Sequence, residues 1–97
     1  MLRASATIVA SDDVLAGEFA AEAVILDLRS GVYYGLEGDG ARIWQLLKTP
    51  IAFATLRDTL VAEYDVEPAR CEADLRALLD DLLRRGLVRE RRDGDVA

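Results

Sequence analysis

The chain has 97 residues, 52% of them hydrophobic, which describes one globular domain with a single modest core rather than a disordered segment. Its net charge of −6 disfavours binding to nucleic acid, where Lys and Arg must neutralise phosphates, and docking to anionic membranes. With no histidine and one cysteine there is no imidazole metal ligand, no Ser–His or Cys–His relay and no internal disulfide.

Met1–Ser11 is apolar but weakly patterned, and residues 1–13 read as a loosely ordered lead-in in which only Thr7-Ile8-Val9 resembles a short strand. The segment lacks the continuous apolar core of a signal peptide, and no run reaches the ~18 apolar residues of a membrane span, so the expected compartment is the cytoplasm. Ser11-Asp12-Asp13 is a turn signal. Val14–Phe19 is the first strand of the reading, with Gly17 marking a bulge, and Ala20-Ala21-Glu22 connects it onward. In Ala23–Leu28, Val24, Leu26 and Leu28 alternate with Ile25 and Asp27, the period of a half-buried strand. Arg29-Ser30-Gly31 supplies a turn, Gly31 being free to take positive φ. Val32, Tyr33 and Tyr34 restart a β-branched and aromatic run that Gly35-Leu36 ends. The expected result is a three-stranded antiparallel meander whose last strand, Val32–Leu36, lies at a sheet edge. Unpaired N–H and C=O groups there are a template for another chain.

The period then changes to 3.6. Ile43, Leu46 and Leu47 share a face of a helix over Asp39–Lys48, with Trp44 beside them as a core residue. Asp39 is the expected N-cap, and Pro50 stops the helix. Phe53, Leu56, Leu60 and Tyr64 define a second helix, Phe53–Tyr64, broken by Asp65-Val66-Glu67. Pro68 fits the first position of a third helix that runs to Arg85, with Gly86 as its C′ residue. In this helix Leu75, Leu78, Leu79, Leu82 and Leu83 span roughly 140°, wider than the ~100° stripe of a one-sided surface helix. Asp74, Asp81 and Arg85 flank the Leu78 margin. Leu87-Val88 close the core, and residues 89–97 form a charged tail. Cys71 falls in the helical pattern as a small apolar residue. Gly35, Gly38 and Gly40 lack the spacing and the Lys-Ser or Lys-Thr of a phosphate loop. No residue is assigned a catalytic or metal-binding role, and an enzyme is not expected.

Three stretches taken together resemble the PqqD-like family: AVILDLRSGVYYGLEGDGARIWQLL (Ala23–Leu47), EYDVEP (Glu63–Pro68) and ADLRALLDDLLRRGLV (Ala73–Val88). The resemblance covers residues 14–88, and YYGL…GARIW is most similar to the standalone leader-binding proteins of lasso-peptide pathways. It implies an α+β, winged-helix-like fold, a three-stranded antiparallel meander followed by three α-helices. It also implies the role of a RiPP recognition element, which binds the leader of a ribosomally made precursor peptide without catalysis or cofactor. In the family the leader adds as a strand to the third strand and lies in a groove against the third helix. Carried onto this chain, the implied site is Val32, Tyr33, Tyr34, Gly35 and Leu36 from the strand and Asp74, Leu75, Leu78, Asp81, Leu82 and Arg85 from the helix. The implied partners are the precursor peptide and a maturation enzyme: a leader peptidase or cyclase of a lasso pathway or, for a PqqD-type chaperone, a radical SAM enzyme. Glu37 departs from the Asn common in relatives before the first helix, and the first dozen residues match nothing well. The tyrosines also fit as plain sheet residues, the leucines as core, and the charges as a solvated face. A winged-helix DNA-binding domain is the rival. Its recognition helix needs clustered cations, and Phe53–Tyr64 offers only Arg57 beside Asp58 and Glu63.

Overall fold

A computed structural model of the chain describes residues 2–19 and 22–91. The elements are β1 (Thr7–Ala10), β2 (Val14–Phe19), β3 (Glu22–Asp27), β4 (Tyr33–Glu37), α1 (Asp39–Leu46), β5 (Ile51–Ala52), α2 (Phe53–Tyr64), α3 (Pro68–Arg84) and β6 (Val88–Arg91). They form two antiparallel sheets of three strands, ordered β2-β3-β4 and β5-β1-β6. The first sheet and the three helices are the α+β meander-then-helices arrangement expected from sequence, and the second sheet is an addition to it.

Within the meander both sides of β3 are apolar, so alternation alone does not say which faces the core. Ala23, Ile25 and Asp27 do, while Val24 and Leu26 are half-buried on the outer side and Leu28 is exposed. Gly17 makes no bulge, because the ladder runs unbroken from Val14↔Asp27 to Phe19↔Glu22. Its missing side chain instead leaves room for the Phe19 ring, which a Cβ would meet at 3.2 Å. The connection at Ala20-Ala21 lies outside the described residues.

The N-terminal segment departs most from expectation. It is not a loose lead-in: β1 is the central strand of the second sheet, pairing Thr7 with both Ala52 and Arg91. Leu2 and Ile8 are buried, the Phe53 and Ala54 amides donate to the Ala6 and Ala4 carbonyls, and the Ala10 amide donates to Leu47. Residues 89–91 are likewise not tail but part of β6, and residues 92–97 lie outside the described residues. The short strand expected at Thr7-Ile8-Val9 is present as β1; its pairing with β5 and β6, strands of two and four residues, is not written locally.

The helices follow the sequence closely. The α1 N-cap is Gly38, at φ 54°, rather than Asp39, and no side chain caps it; Asp39 sits in the first turn, where its charge favours the helix dipole. Asp65 ends α2 in the left-handed region at φ 51°, a conformation Asp tolerates through its short polar side chain. The last turn of α3 closes as a Schellman motif: Gly86, at φ 74°, donates to Leu83, and Leu87 to Leu82. Trp44, Phe53, Leu56, Leu75, Leu79 and Leu87 are fully buried at the centre of the molecule. Arg42 forks onto Glu63 at 2.8 and 2.9 Å, joining α1 to α2, and Arg57 reaches Glu72 at 2.8 Å, joining α2 to α3. No helix among the described residues is long and apolar enough to cross a membrane.

Candidate functional site

β4 pairs with β3 along one side, and among the described residues nothing pairs with the other. In an antiparallel ladder a residue's N–H and C=O point to the same side, and successive residues alternate. The Asp27 amide donates to the Val32 carbonyl at 3.0 Å. By alternation the backbone groups of Tyr34 and Leu36 are turned towards β3, and those of Tyr33, Gly35 and Glu37 towards the open edge. The side chains alternate on the other axis: Tyr34 and Leu36 pack half-buried against the core, whereas Tyr33 is 68% exposed on the outer face. Val32 stands one residue before the strand and is exposed, its amide donating to the Ser30 hydroxyl.

The α3 leucines divide according to their place on the arc. Leu75, Leu79 and Leu82, at its middle, are buried, whereas Leu78 and Leu83, at its two margins, are half-buried. Leu75 and Leu82, which the family resemblance implies for a groove, therefore belong to the core cluster, and Leu78 is the implied site leucine that is half-buried. At the C-terminal end of α3 the Arg85 guanidinium lies 5.1 Å over the Tyr34 ring, and Asp81 holds it at 3.0 Å. The Asp81 carboxylate, and with it the Tyr34 hydroxyl, raise the Arg85 pKa further above its ordinary value. At the other end, Leu36 touches the first turn of α1, where a Cβ on Gly40 would lie 3.5 Å from it. β4 thus meets the C-terminal end of α3 where Arg85 lies over Tyr34, and the start of α1 where Leu36 lies against Gly40.

Beyond Leu36 opens a recess of about 250 Å³. Ile43, Leu60, Leu75 and Leu78 give it an apolar lining, with Asp39, Arg70 and Asp74 around it. Cys71 also lines it; burial pushes its thiol pKa up, and Asp74 adds to the rise. Of these residues the sequence had singled out Asp74, Leu75 and Leu78 for the site. Tyr64 and Val66, also on the lining, are exposed apolar residues where α2 gives way to α3, and no motif in the sequence marks them for a site.

The hairpin that carries β4 is pinned to the end of α3. The buried Asp27 carboxylate accepts from the Arg29 amide at 3.0 Å and the Ser30 hydroxyl at 2.9 Å, and these bonds hold its pKa below the ordinary carboxylate value. Arg29 continues across to donate to the Gly86 carbonyl at 3.2 Å, which Ser11 also reaches at 2.8 Å. The hairpin and the end of α3 are therefore fixed to each other through Arg29 in the β3–β4 turn as well as through Arg85.

Residues 22–88, more than half of the chain, match the family model described as coenzyme PQQ synthesis protein D, PqqD. The chain belongs to the PqqD family. Its match begins at β3 and leaves both β1 and β2 outside it, so it is shorter at its start than the resemblance read over residues 14–88. Among solved structures, TbiB1 in complex with the TbiA(β) leader peptide is 34% identical, with a TM-score of 0.79 over 92% of this chain and 99% of that one. A lasso peptide synthetase B1 complexed with its leader peptide is 29% identical, with a TM-score of 0.74 over 84% of this PqqD-family chain and 96% of the other. No curated protein matches.

Proposed function

We propose that this chain is a RiPP recognition element: it binds the leader of a ribosomally made precursor peptide, without catalysis, and presents it to a maturation enzyme. The leader adds as a fourth strand to the open edge of β4. The Tyr33, Gly35 and Glu37 amides and carbonyls supply backbone pairing, which is nearly blind to sequence. Successive leader side chains then alternate between the outer face and the groove. Those turned inward meet Leu36, Tyr34 and Leu78, which supply the choice between sequences. The observation that carries this reading is the open β4 edge, whose Tyr34 lies under Arg85 at the end of α3, in a fold whose 34%-identical structural neighbour is a leader-peptide complex.

The same neighbours favour a lasso-pathway leader peptidase or cyclase as the enzyme served, in the cytoplasm; the family description keeps a PqqD-type chaperone for a radical SAM enzyme as the second reading. The DNA-binding alternative loses support at Arg57, whose guanidinium is taken up by Asp58 and Glu72.

A paired substitution at Gly35 tests strand addition. A Cβ built at Gly35 meets nothing within 4 Å, so Ala fits there, and a Pro ring would close on the nitrogen that faces the open edge. Gly35→Ala keeps the outward N–H, whereas Gly35→Pro removes it without removing a donor to β3, on an edge where Pro is tolerated. A fluorescent panel of lasso-precursor leaders that includes TbiA(β) is titrated against each. The expected result is binding by at least one leader to the wild type and to Gly35→Ala, and a loss of about tenfold, ~1.4 kcal/mol, in Gly35→Pro. Equal affinity in folded Gly35→Pro would place the peptide elsewhere.

A further inference from the structure

The meander has a second open edge. β2 pairs with β3 on one side, and among the described residues nothing pairs with its other side. The Leu28 amide donates to the Asp13 carbonyl at 2.9 Å. By the alternation already applied to β4, Leu15, Gly17 and Phe19 turn their backbone groups towards β3, and Val14, Ala16 and Glu18 turn theirs outward. Natural edge strands are guarded by a proline, a lysine, a bulge or extreme shortness. β2 has none of these guards: it is six residues long and its ladder with β3 is unbroken. Its single charge, Glu18, lies on the core-facing side and is engaged by Lys48 at 2.9 Å. On the outer side Leu15 and Phe19 are 60% and 67% exposed, and Gly17 between them leaves room for the Phe19 ring. Ala16 and Glu18 are exposed as well, so β2 overhangs the core instead of lying on it.

We propose that the β2 edge is a self-association surface, along which two copies of the chain pair antiparallel about a two-fold axis into one continuous sheet. What points to a second copy is that the strand is complementary to itself, as a two-fold contact requires. One register sets Ala16 opposite the second copy's Glu18, and these outward-facing residues exchange their ladder bonds. It places Gly17 opposite Gly17 at the axis and Leu15 opposite Phe19 on the outer face. Those are non-hydrogen-bonded positions, where side chains approach most closely, and an aromatic–aliphatic pair there is favourable. The two Phe19 rings fit because neither Gly17 carries a side chain. Slipping the strands by two residues in one direction sets Glu18 against Glu18, a like-charge pair. Slipping them in the other sets Phe19 against Asp13 and Leu15 against Gly17, and the apolar pair is lost. The contact leaves β4 at both outer ends of the joined sheet, so strand addition there neither requires nor prevents it. A contact confined to one such strand per copy is smaller than the ~1,200–2,000 Å² of a stable interface, so association is weak and concentration-dependent.

The test is sedimentation velocity on the full chain, from micromolar to near-millimolar concentration, for the wild type, Ala16→Pro, Ala16→Ser, Leu15→Lys and Gly35→Pro. Ala16→Pro removes an outward N–H without removing a donor to β3, and Ala16→Ser keeps it. Leu15→Lys leaves the backbone intact and replaces the apolar pair on each side of the axis by a cation. The wild type, Ala16→Ser and Gly35→Pro should move towards the dimer mass as concentration rises. Ala16→Pro and Leu15→Lys should raise the dimer dissociation constant at least about tenfold, with the circular dichroism of the wild type. If Ala16→Pro does not fold, Leu15→Lys decides. In the wild type, amide exchange at Ala16 and Glu18 should slow with rising concentration while that at Gly35 stays constant. A wild type that remains monomeric throughout, or folded Ala16→Pro and Leu15→Lys that dimerise as the wild type does, would overturn the proposal. Dimerisation lost in Gly35→Pro and kept in Ala16→Pro would assign self-pairing to β4 and overturn it too. Protection of Ala16 and Glu18 that is independent of concentration would assign the β2 edge to a segment of the same chain, with the same consequence.

Discussion

Leu78 and Leu79 are adjacent on α3 but face different surroundings, and truncating each in turn separates the groove wall from the core beneath it. Leu79 is fully buried, so Leu79→Ala removes buried methyl groups and leaves a cavity, a cost of about 2–5 kcal/mol. Taking ~3 kcal/mol against a total stability of about 5–15, the urea midpoint should fall by about 1–3 M and Tm by ~12–24 °C. Leu78 is half-buried and borders the open recess, so Leu78→Ala loses part of the transfer energy and makes no closed cavity, about 1 kcal/mol. In a complex the same side chain is covered by peptide, and its removal should cost ~1–2 kcal/mol of binding, roughly 5–30-fold in Kd. The assay is a urea titration by circular dichroism and a leader titration by fluorescence anisotropy on each variant. Stability should fall more in Leu79→Ala, and affinity more in Leu78→Ala. If Leu79→Ala stays stable and loses binding while Leu78→Ala unfolds, α3 is turned the other way. If neither alters binding in folded protein, α3 does not line the site.

Two further predictions concern the hairpin anchor. The depressed pKa of Asp27 stabilises the fold above its unfolded value, about 3.9, and that stabilisation disappears as pH falls through the lower native value. Asp27→Asn should therefore be less stable than the wild type at pH 7, with the gap in urea midpoint closing below pH 4; a gap independent of pH would remove the carboxylate from the account. Gly86→Ala should cost about 1–2 kcal/mol for its positive φ, ~4–16 °C in Tm, and more because its Cβ meets the Arg29 guanidinium. The extra cost should vanish in an Arg29→Ala background, and an unchanged penalty there would show that the φ term acts alone.

The parts legible in the sequence were those written locally. The α2 boundaries, the Gly31 turn and the Gly86 cap each depend on residues within a few positions of one another. The width of the α3 arc likewise announced that its margins would not all be covered, and Leu78 and Leu83 are half-buried. The rest needed distant partners. β1 has four residues and acquires its role from Ala52 and Arg91, far along the chain. Which leucines of the arc lie at the core, and that Leu75 and Leu82 are among them, depends on how α3 is rotated against its neighbours, a quantity that spacing alone does not contain. The parity of β4 was equally hidden: the bond from Asp27 to Val32 determines that Tyr33, Gly35 and Glu37, and not Tyr34, turn their amides to the open edge. The recess is built from α1, α2, α3 and the α2–α3 connection, so the segments that meet there share no local motif.

That parity supplies the most direct test of strand addition. Amide hydrogen exchange is followed residue by residue, by NMR, in the free protein and in protein saturated with a bound leader. Tyr34 and Leu36 already donate to β3 and should change little. Tyr33, Gly35 and Glu37 should exchange freely without peptide and become protected with it, in that alternating pattern. Protection that skips these three amides while the leader is demonstrably bound would contradict a peptide strand on β4.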